Sequence, residues 1–297
     1  MLKSKKIFSV ILAVMLVALS FAGCSSSSSK EADTITDETL LIAYTENNPP
    51  FFEISEDGKT AQGFEAEIIE NIFDNIKDSC KNYKFVKVDE DYRLGEDAAY
   101  TDKDGKTYIA YMAVGGFQKN ADENNEEYSF TNTVISNRII TLTAKGSKIT
   151  DYSKMSGAKA AVVGNIAKAA LEKNTAIASA CKSATDYTDV NLALSDLYSG
   201  KVDAVVVDEF NYRTLKSINV SGKEVALDTF VVELNGELDT IEYAFATAKY
   251  DRLKDDINEA LYELQSPKYN DADQLTPIVE KYFGYNACTF DYQPVQQ

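Results

Sequence analysis

The chain has 297 residues, with 47 acidic against 30 basic side chains, a formal charge of −17, and neither histidine nor tryptophan. So acidic a balance excludes a nucleic-acid partner, which needs a basic footprint, and a folded body held to anionic lipid by its own charges. The missing histidines remove the commonest general base and the commonest metal ligand, and the net charge itself fits a chain kept soluble outside a cell.

In chain order, Lys3, Lys5 and Lys6 precede an apolar run from Ile7 to Leu19 and then small residues up to Cys24. That layout predicts a secretory signal peptide over residues 1–23. The segment Ser20-Phe21-Ala22-Gly23-Cys24 resembles a bacterial lipobox, with Phe21 where Leu is usual. The resemblance implies cleavage before Cys24, lipidation of Cys24, and an anchor at the outer face of the cytoplasmic membrane. The plainer alternative is secretion with a free Cys24. Cleavage removes three lysines and no acid, taking the formal charge from −17 to −20. Past residue 23 no run is apolar enough to span a bilayer. Ser25 to Ser29 and the polar residues after them predict a flexible tether over 24–38, reaching on the order of 20 Å.

Folded structure is expected from about Leu40, where Leu40 to Tyr44 reads as a buried strand. Asn47-Asn48-Pro49-Pro50 breaks it, and Asp57-Gly58-Lys59 marks a turn. Phe64, Ile68, Ile69, Ile72, Phe73 and Ile76 recur at helical spacing. Tyr83 to Val88 alternates as a strand, and the apolar run Tyr108 to Val114 ends at Gly115-Gly116. Ser136 to Ala144 reads as a long strand leaving a first lobe. Ala158 to Val163 is a buried strand followed by Gly164-Asn165 and an alanine-rich helix. Val190 to Tyr198 is amphipathic, and Ala204 to Val207 is a strand closed by Asp208. Tyr243 to Ala248 is a further strand, and Leu253, Ile257, Leu261 and Leu264 line one helical face. Strands alternating with helices predict an α/β fold with largely parallel sheet, and a chain of this length favours two lobes. Cys80, Cys181 and Cys288 have no close sequence pairing, which argues against a zinc framework. Cys80 with Cys288 is the one disulfide to test.

At several points the chain is similar to the family 3 extracytoplasmic solute-binding proteins, the substrate-binding lipoproteins of amino-acid ABC importers. The likeness runs through Asn48-Pro49-Pro50-Phe51, Asp57-Gly58-Lys59, Gly63-Phe64-Glu65-Ala66-Glu67 and Tyr128-Ser129-Phe130-Thr131. It continues through Gly200-Lys201-Val202-Asp203-Ala204-Val205-Val206-Val207-Asp208 and Tyr282-Phe283-Gly284, covering most of the chain past residue 38. It implies a two-lobed periplasmic-binding-protein-like fold with hinge strands. Lobe 1 would be residues 39–138, lobe 2 residues 139–240, and 241–297 would return to lobe 1 and end as a tail. A small polar solute would sit in the cleft, the lobes closing over it, beyond the carboxyl ends of the strands. The family's partner is an ABC permease, and no cofactor is expected.

The same resemblance nominates contacts. Asp208 takes the place of the acid that holds the solute's ammonium; the plain alternative is a helix cap. Gly164-Asn165-Ile166 takes the place of the turn that grips a carboxylate, where free N–H groups make an anion site. Asn165 replaces the usual Thr there, and capping the helix is its alternative role. Asn48 opens the Pro-Pro motif, and Phe51 or Phe52 would supply an aromatic wall, core packing being the commoner fate of Phe. Thr45 stands where many members carry an acid for the solute's side chain. Gly115-Gly116-Phe117 resembles the small-residue strand end whose backbone carbonyls and hydroxyls meet the amine, with the backbone acceptors kept and the usual Ser hydroxyls missing. The family's carboxylate-clamping Arg has no counterpart: its position falls on Glu123 or Asn124, leaving Lys119 as the nearby cation. The expected solute is therefore an amino acid or a related amine-bearing molecule. An enzyme on the same two-lobed fold, such as a dehydratase or a lytic murein enzyme, is the alternative of another class. A sensory solute-binding lipoprotein is the third.

Overall fold

The computed structural model describes residues 35–76, 80–119, 128–249, 252–266 and 273–288. The expected signal peptide, Cys24, the tether up to Thr34 and the acidic run from Asn120 to Glu127 lie outside the described residues.

The chain opens with β1 (Thr39–Tyr44), a hairpin of β2 (Glu53–Ile54) and β3 (Ala61–Gln62), and α1 (Phe64–Ile76). Then come β4 (Asn82–Lys87), a ribbon of β5 (Ala98–Thr101) and β6 (Thr107–Ile109), β7 (Met112–Ala113) and β8 (Ser129–Phe130). The long strand β9 (Ile135–Ala144) leads into β10 (Lys159–Val163), α2 (Gly164–Lys173), α3 (Thr175–Ala180), β11 (Ser183–Tyr187) and α4 (Val190–Tyr198). After β12 (Ala204–Asp208) and the one-turn α5 (Glu209–Tyr212) come the hairpin β13 (Ser217–Val220) and β14 (Lys223–Ala226), then β15 (Val231–Glu233) and β16 (Asp239–Tyr243). The end of the chain supplies β17 (Ala246–Thr247), α6 (Leu253–Gln265) and α7 (Leu275–Phe283).

Besides three two-stranded pairs, the described strands form two large sheets, one in each lobe. The first runs β4-β1-β7-β17-β8, with β4, β1 and β7 parallel and β17 antiparallel to both its neighbours. The helical spacing in Phe64–Ile76 buries Ile68, Ile69 and Ile72 completely against α6, α7 and the sheet. The second sheet runs β11-β10-β12-β9-β15, with β16 also on β9. Here β10 is parallel to β11 and β12, while β9 is antiparallel to β12, β15 and β16. All five residues of β12 are buried, as expected of a continuous apolar run in the middle of a sheet covered on both faces. Both sheets are thus mixed, less parallel than the alternation of elements implied.

Two strands pass between the lobes. In their register Arg138 lies opposite Thr240 and Ser136 opposite Glu242. The single strand expected over Tyr243 to Ala248 is broken in two. The chain stops pairing with β9 at Tyr243 and pairs with β7 and β8 from Ala246, because it changes sheets there. Cys80, Cys181 and Cys288 form no disulfide with one another, so the Cys80–Cys288 pairing does not form in this structure.

Candidate functional site

The first wall is a corner of lobe 1. After β1 the chain turns tightly, the Asn48 carbonyl accepting from the Phe51 and Phe52 N–H groups at 2.9 and 3.1 Å. The Asn48 side chain then reaches across, Nδ2 donating to the Gly115 carbonyl at 2.7 Å. Behind the corner, the first turn of α1 presents Glu65. Its Oε2 accepts from the Gly115 N–H at 2.6 Å and from the Gly116 N–H at 3.2 Å. Gly115 and Gly116 have φ of +136° and +79°, where side chains are rarely tolerated. A Cβ on Gly116 would lie 2.9 Å from the Phe51 ring, whereas one on Gly115 would meet nothing within 4 Å. The corner is therefore packed behind and open in front. Among the described residues no donor reaches the Gly116 carbonyl. Glu65 is 4% exposed; burial pushes its carboxyl up to about 7, against the pull of the two glycine N–H groups.

Past the corner the chain lies along the hinge. Gln118 forms an isolated bridge to Tyr243, and the Lys119 N–H donates to the Glu242 carbonyl at 2.8 Å. Gln118 from lobe 1, Ile139 and Ile241 from the hinge strands and Ile166, Ala170 and Lys173 from α2 line one cavity of about 270 Å³.

Both phenylalanines are buried in the lobe 1 core, Phe51 at 7% and Phe52 at 0% exposure. Phe52 is completely buried, its ring 5.2 Å from Tyr44 and 4.8 Å from Phe85. It belongs to the core and has no surface for a solute, which corrects its nomination as a contact. Phe51 sits against Gly116 and the hinge, 4.6 Å from Tyr243 and 6.3 Å from Phe210 of lobe 2. Phe117 packs edge-on to Tyr128 at 5.5 Å, on a cluster with Phe130 and away from the Asn48 turn. Thr45 is exposed at the end of β1.

In lobe 2, Asp208 caps α5. Its Oδ1 accepts from the Asn211 N–H at 3.2 Å and from Asn137 Nδ2 at 3.1 Å, and its Oδ2 from Asn211 Nδ2 at 2.6 Å. The carboxylate is buried and engaged on both oxygens, so a solute ammonium would have to join an existing network. Tyr243 stands beside it; burial, and secondarily the Asp208 charge, push its phenol up to about 12 against a hydrogen bond from Asn137. At the start of α2 the capping position is Val163, with no side-chain cap. Asn165 therefore does not cap the helix, and both Asn165 and Ile166 are exposed.

Behind Asp208 lies an ion network. Arg138 grips Glu209 with Nε and Nη2 at 2.9 and 2.7 Å, and Arg213 adds Nε at 2.7 Å. Arg213 also pairs with Glu233 at 2.8 Å, and Arg138 lies 3.8 Å from Glu237. Burial raises the Glu209 carboxyl, but the two guanidiniums outweigh it and hold the group below its usual range. Arg138 and Arg213 are thus both committed to acids of the protein.

The structure groups Asn48, Phe51, Gly115 and Gly116 at one corner and sets Asp208 and the start of α2 in the other lobe. Sequence reasoning passed over Glu65, Gln118, Asn137 and Tyr243. Only Glu65 carried a signal, as the first acid of Gly63-Phe64-Glu65-Ala66-Glu67.

No protein-family model matches the chain, and no curated protein matches it. Among solved structures, a polar amino acid ABC uptake transporter substrate-binding protein from Streptococcus thermophilus is 21% identical, over 85% of this chain and 88% of that one, with a TM-score of 0.57. An ABC uptake transporter substrate-binding protein from Streptococcus pneumoniae with bound histidine is 24% identical, over 85% and 95% of the two chains, with a TM-score of 0.46. The chain has the two-lobed α/β fold of the first of these.

Proposed function

We propose that the chain is a solute-binding lipoprotein that captures an amino acid or related amine-bearing solute and delivers it to an ABC permease, without chemistry. The observation that supports this reading is the cavity at the hinge, walled by Gln118 of one lobe and Ile166 of the other. It adjoins a corner that offers a backbone carbonyl acceptor and opens on free space at Gly115. In this reading lobe 1 is 39–138 with the return from 241, lobe 2 is 139–240, and β9 and β16 flex between them. Asp208 supplies the negative charge for the ammonium. A carboxylate, without the family's Arg, relies on the exposed N–H groups at the start of α2 and on Lys119, which holds it less specifically than a guanidinium.

Thermal unfolding with L-arginine, L-histidine, L-glutamine, putrescine and a dipeptide tests it. A solute at a hundredfold over its Kd should add about 2.7 kcal/mol. Asp208→Asn keeps the cap and removes the charge, and should weaken the best solute by roughly tenfold or more, the worth of one charge-assisted bond. Wild-type affinity in that variant would refute the ammonium role, and turnover of any member of the panel would refute binding without chemistry.

The anchor is part of the proposal. Among the described residues no helix is long and apolar enough to cross a membrane, and the proposal places membrane retention on Cys24. Cys24→Ala should move the protein from the membrane fraction to the medium. Retention of that variant, with no lipid on the wild-type chain, would remove the anchor from the account.

A further inference from the structure

One buried ionisable group takes no part in the reading above. Glu65 lies in the first turn of α1, fifty residues in sequence from the Gly115 N–H that it accepts. It joins a helix to the Gly115–Gly116 corner, where a Cβ on Gly115 would meet nothing within 4 Å. Among the described residues its carboxylate is the only side chain holding the Gly115 and Gly116 N–H groups, while Asn48 holds the Gly115 carbonyl.

Among the described residues no charged side chain compensates Glu65. Neither the turn from Asn48 to Phe52 nor the stretch from Met112 to Phe117 carries an ionisable side chain. The other acid in the first turn of α1, Glu67, is taken by Lys281 and Tyr282 of α7. Only burial and the two glycine N–H groups act on the carboxyl. A lone buried carboxylate gripping two amides binds tightly when ionised, because charge strengthens both hydrogen bonds. Protonation removes that charge and turns one oxygen into a donor.

We propose that Glu65 is a positioning residue, whose ionised carboxylate holds the Gly115–Gly116 corner in its solute-binding shape, so that solute capture is gated by protonation of this one group. The inference rests on the solute-binding reading for its purpose, but its geometry is testable without any solute.

The full mature chain, labelled with 15N-glycine, is followed by NMR from about pH 5 to 9. The Gly115 and Gly116 amide signals should move together with a single midpoint, and in Glu65→Gln they should stay still. Glu65→Asp, a carboxylate one methylene shorter, should titrate with a moved midpoint, and if the Gln variant fails to fold, an Asp variant with the wild-type midpoint and shifts overturns the proposal. Glycine signals that do not titrate in the wild type, or that titrate unchanged in Glu65→Gln, overturn the proposal.

The second arm measures the affinity of whichever of L-arginine, L-histidine, L-glutamine or putrescine stabilises the protein. It should weaken about tenfold as pH falls below the glycine midpoint, the worth of one charge-assisted bond. In Glu65→Gln it should be weak and flat with pH. A flat wild-type profile overturns the gating. If none of the four binds at any pH, the solute reading fails, while the glycine titration still decides what Glu65 holds.

Discussion

Replacing Arg138 with alanine should destabilise the protein by about 3 kcal/mol, because it strands a buried acid. The Glu209 side chain is 5% exposed and receives two hydrogen bonds from Arg138. Without them only Arg213 remains, and that cation is shared with Glu233. The effect carries a pH signature. Glu209 is held below its usual range, so it contributes stability that is present above the unfolded carboxyl pKa and lost as pH falls through the folded one. The variant lacks most of that contribution. Urea unfolding of the two proteins should therefore show a gap at pH 7 that narrows steadily toward pH 3. A gap of the same size at both ends would mean that lost packing of the Arg stem, and not the stranded charge, sets the cost. Arg138→Lys should recover only part of the loss, since an ammonium cannot reproduce the two-pronged contact.

Gly63→Ala should cost a similar amount, roughly 3 kcal/mol, by another route. Gly63 has φ of +108°, and a Cβ there would lie 2.6 Å from the Phe51 carbonyl oxygen and 2.9 Å from its carbon. Those are backbone atoms, which cannot swing aside as a side chain would. The same carbonyl accepts from the Glu65 N–H, and the Pro50 carbonyl from the Phe64 N–H, each at 2.8 Å. The methyl must therefore push α1 away from the 48–52 turn, adding to the 1–3 kcal/mol of a strained left-handed backbone. The melting temperature should fall by about 6–12 °C, and the Gly115–Gly116 corner should loosen, since Glu65 moves with α1. A shift under about 2 °C would show that the turn yields without strain.

Much of this molecule is legible in its order of residues. The buried strand at Leu40 to Tyr44, the helix marked by Phe64, Ile68, Ile69, Ile72, Phe73 and Ile76, and the strand closed by Asp208 all appear with the expected character. Each depends on local periodicity, which burial of one face imposes directly on sequence. The glycine pair at 115–116 was marked in the sequence only as the end of an apolar run, and its positive φ values belong to the structure.

The site was less so. Phe51 and Phe52 are neighbours of identical chemistry, yet one lies wholly inside lobe 1 and the other meets the hinge aromatics. Nothing local distinguishes them; the direction of the turn does. Asp208 gains its second partner from Asn137, seventy-one residues away, and Glu65 finds its glycines fifty residues away. The sequence by itself determined the strongly periodic strands and helices, which follow from interactions within a few residues, but not where the 243–248 stretch breaks to change sheets. Which carboxylates are held and which rings are sealed was decided only when the sheets packed, because hydrogen bonding and desolvation depend on whatever the fold brings within about 3 Å.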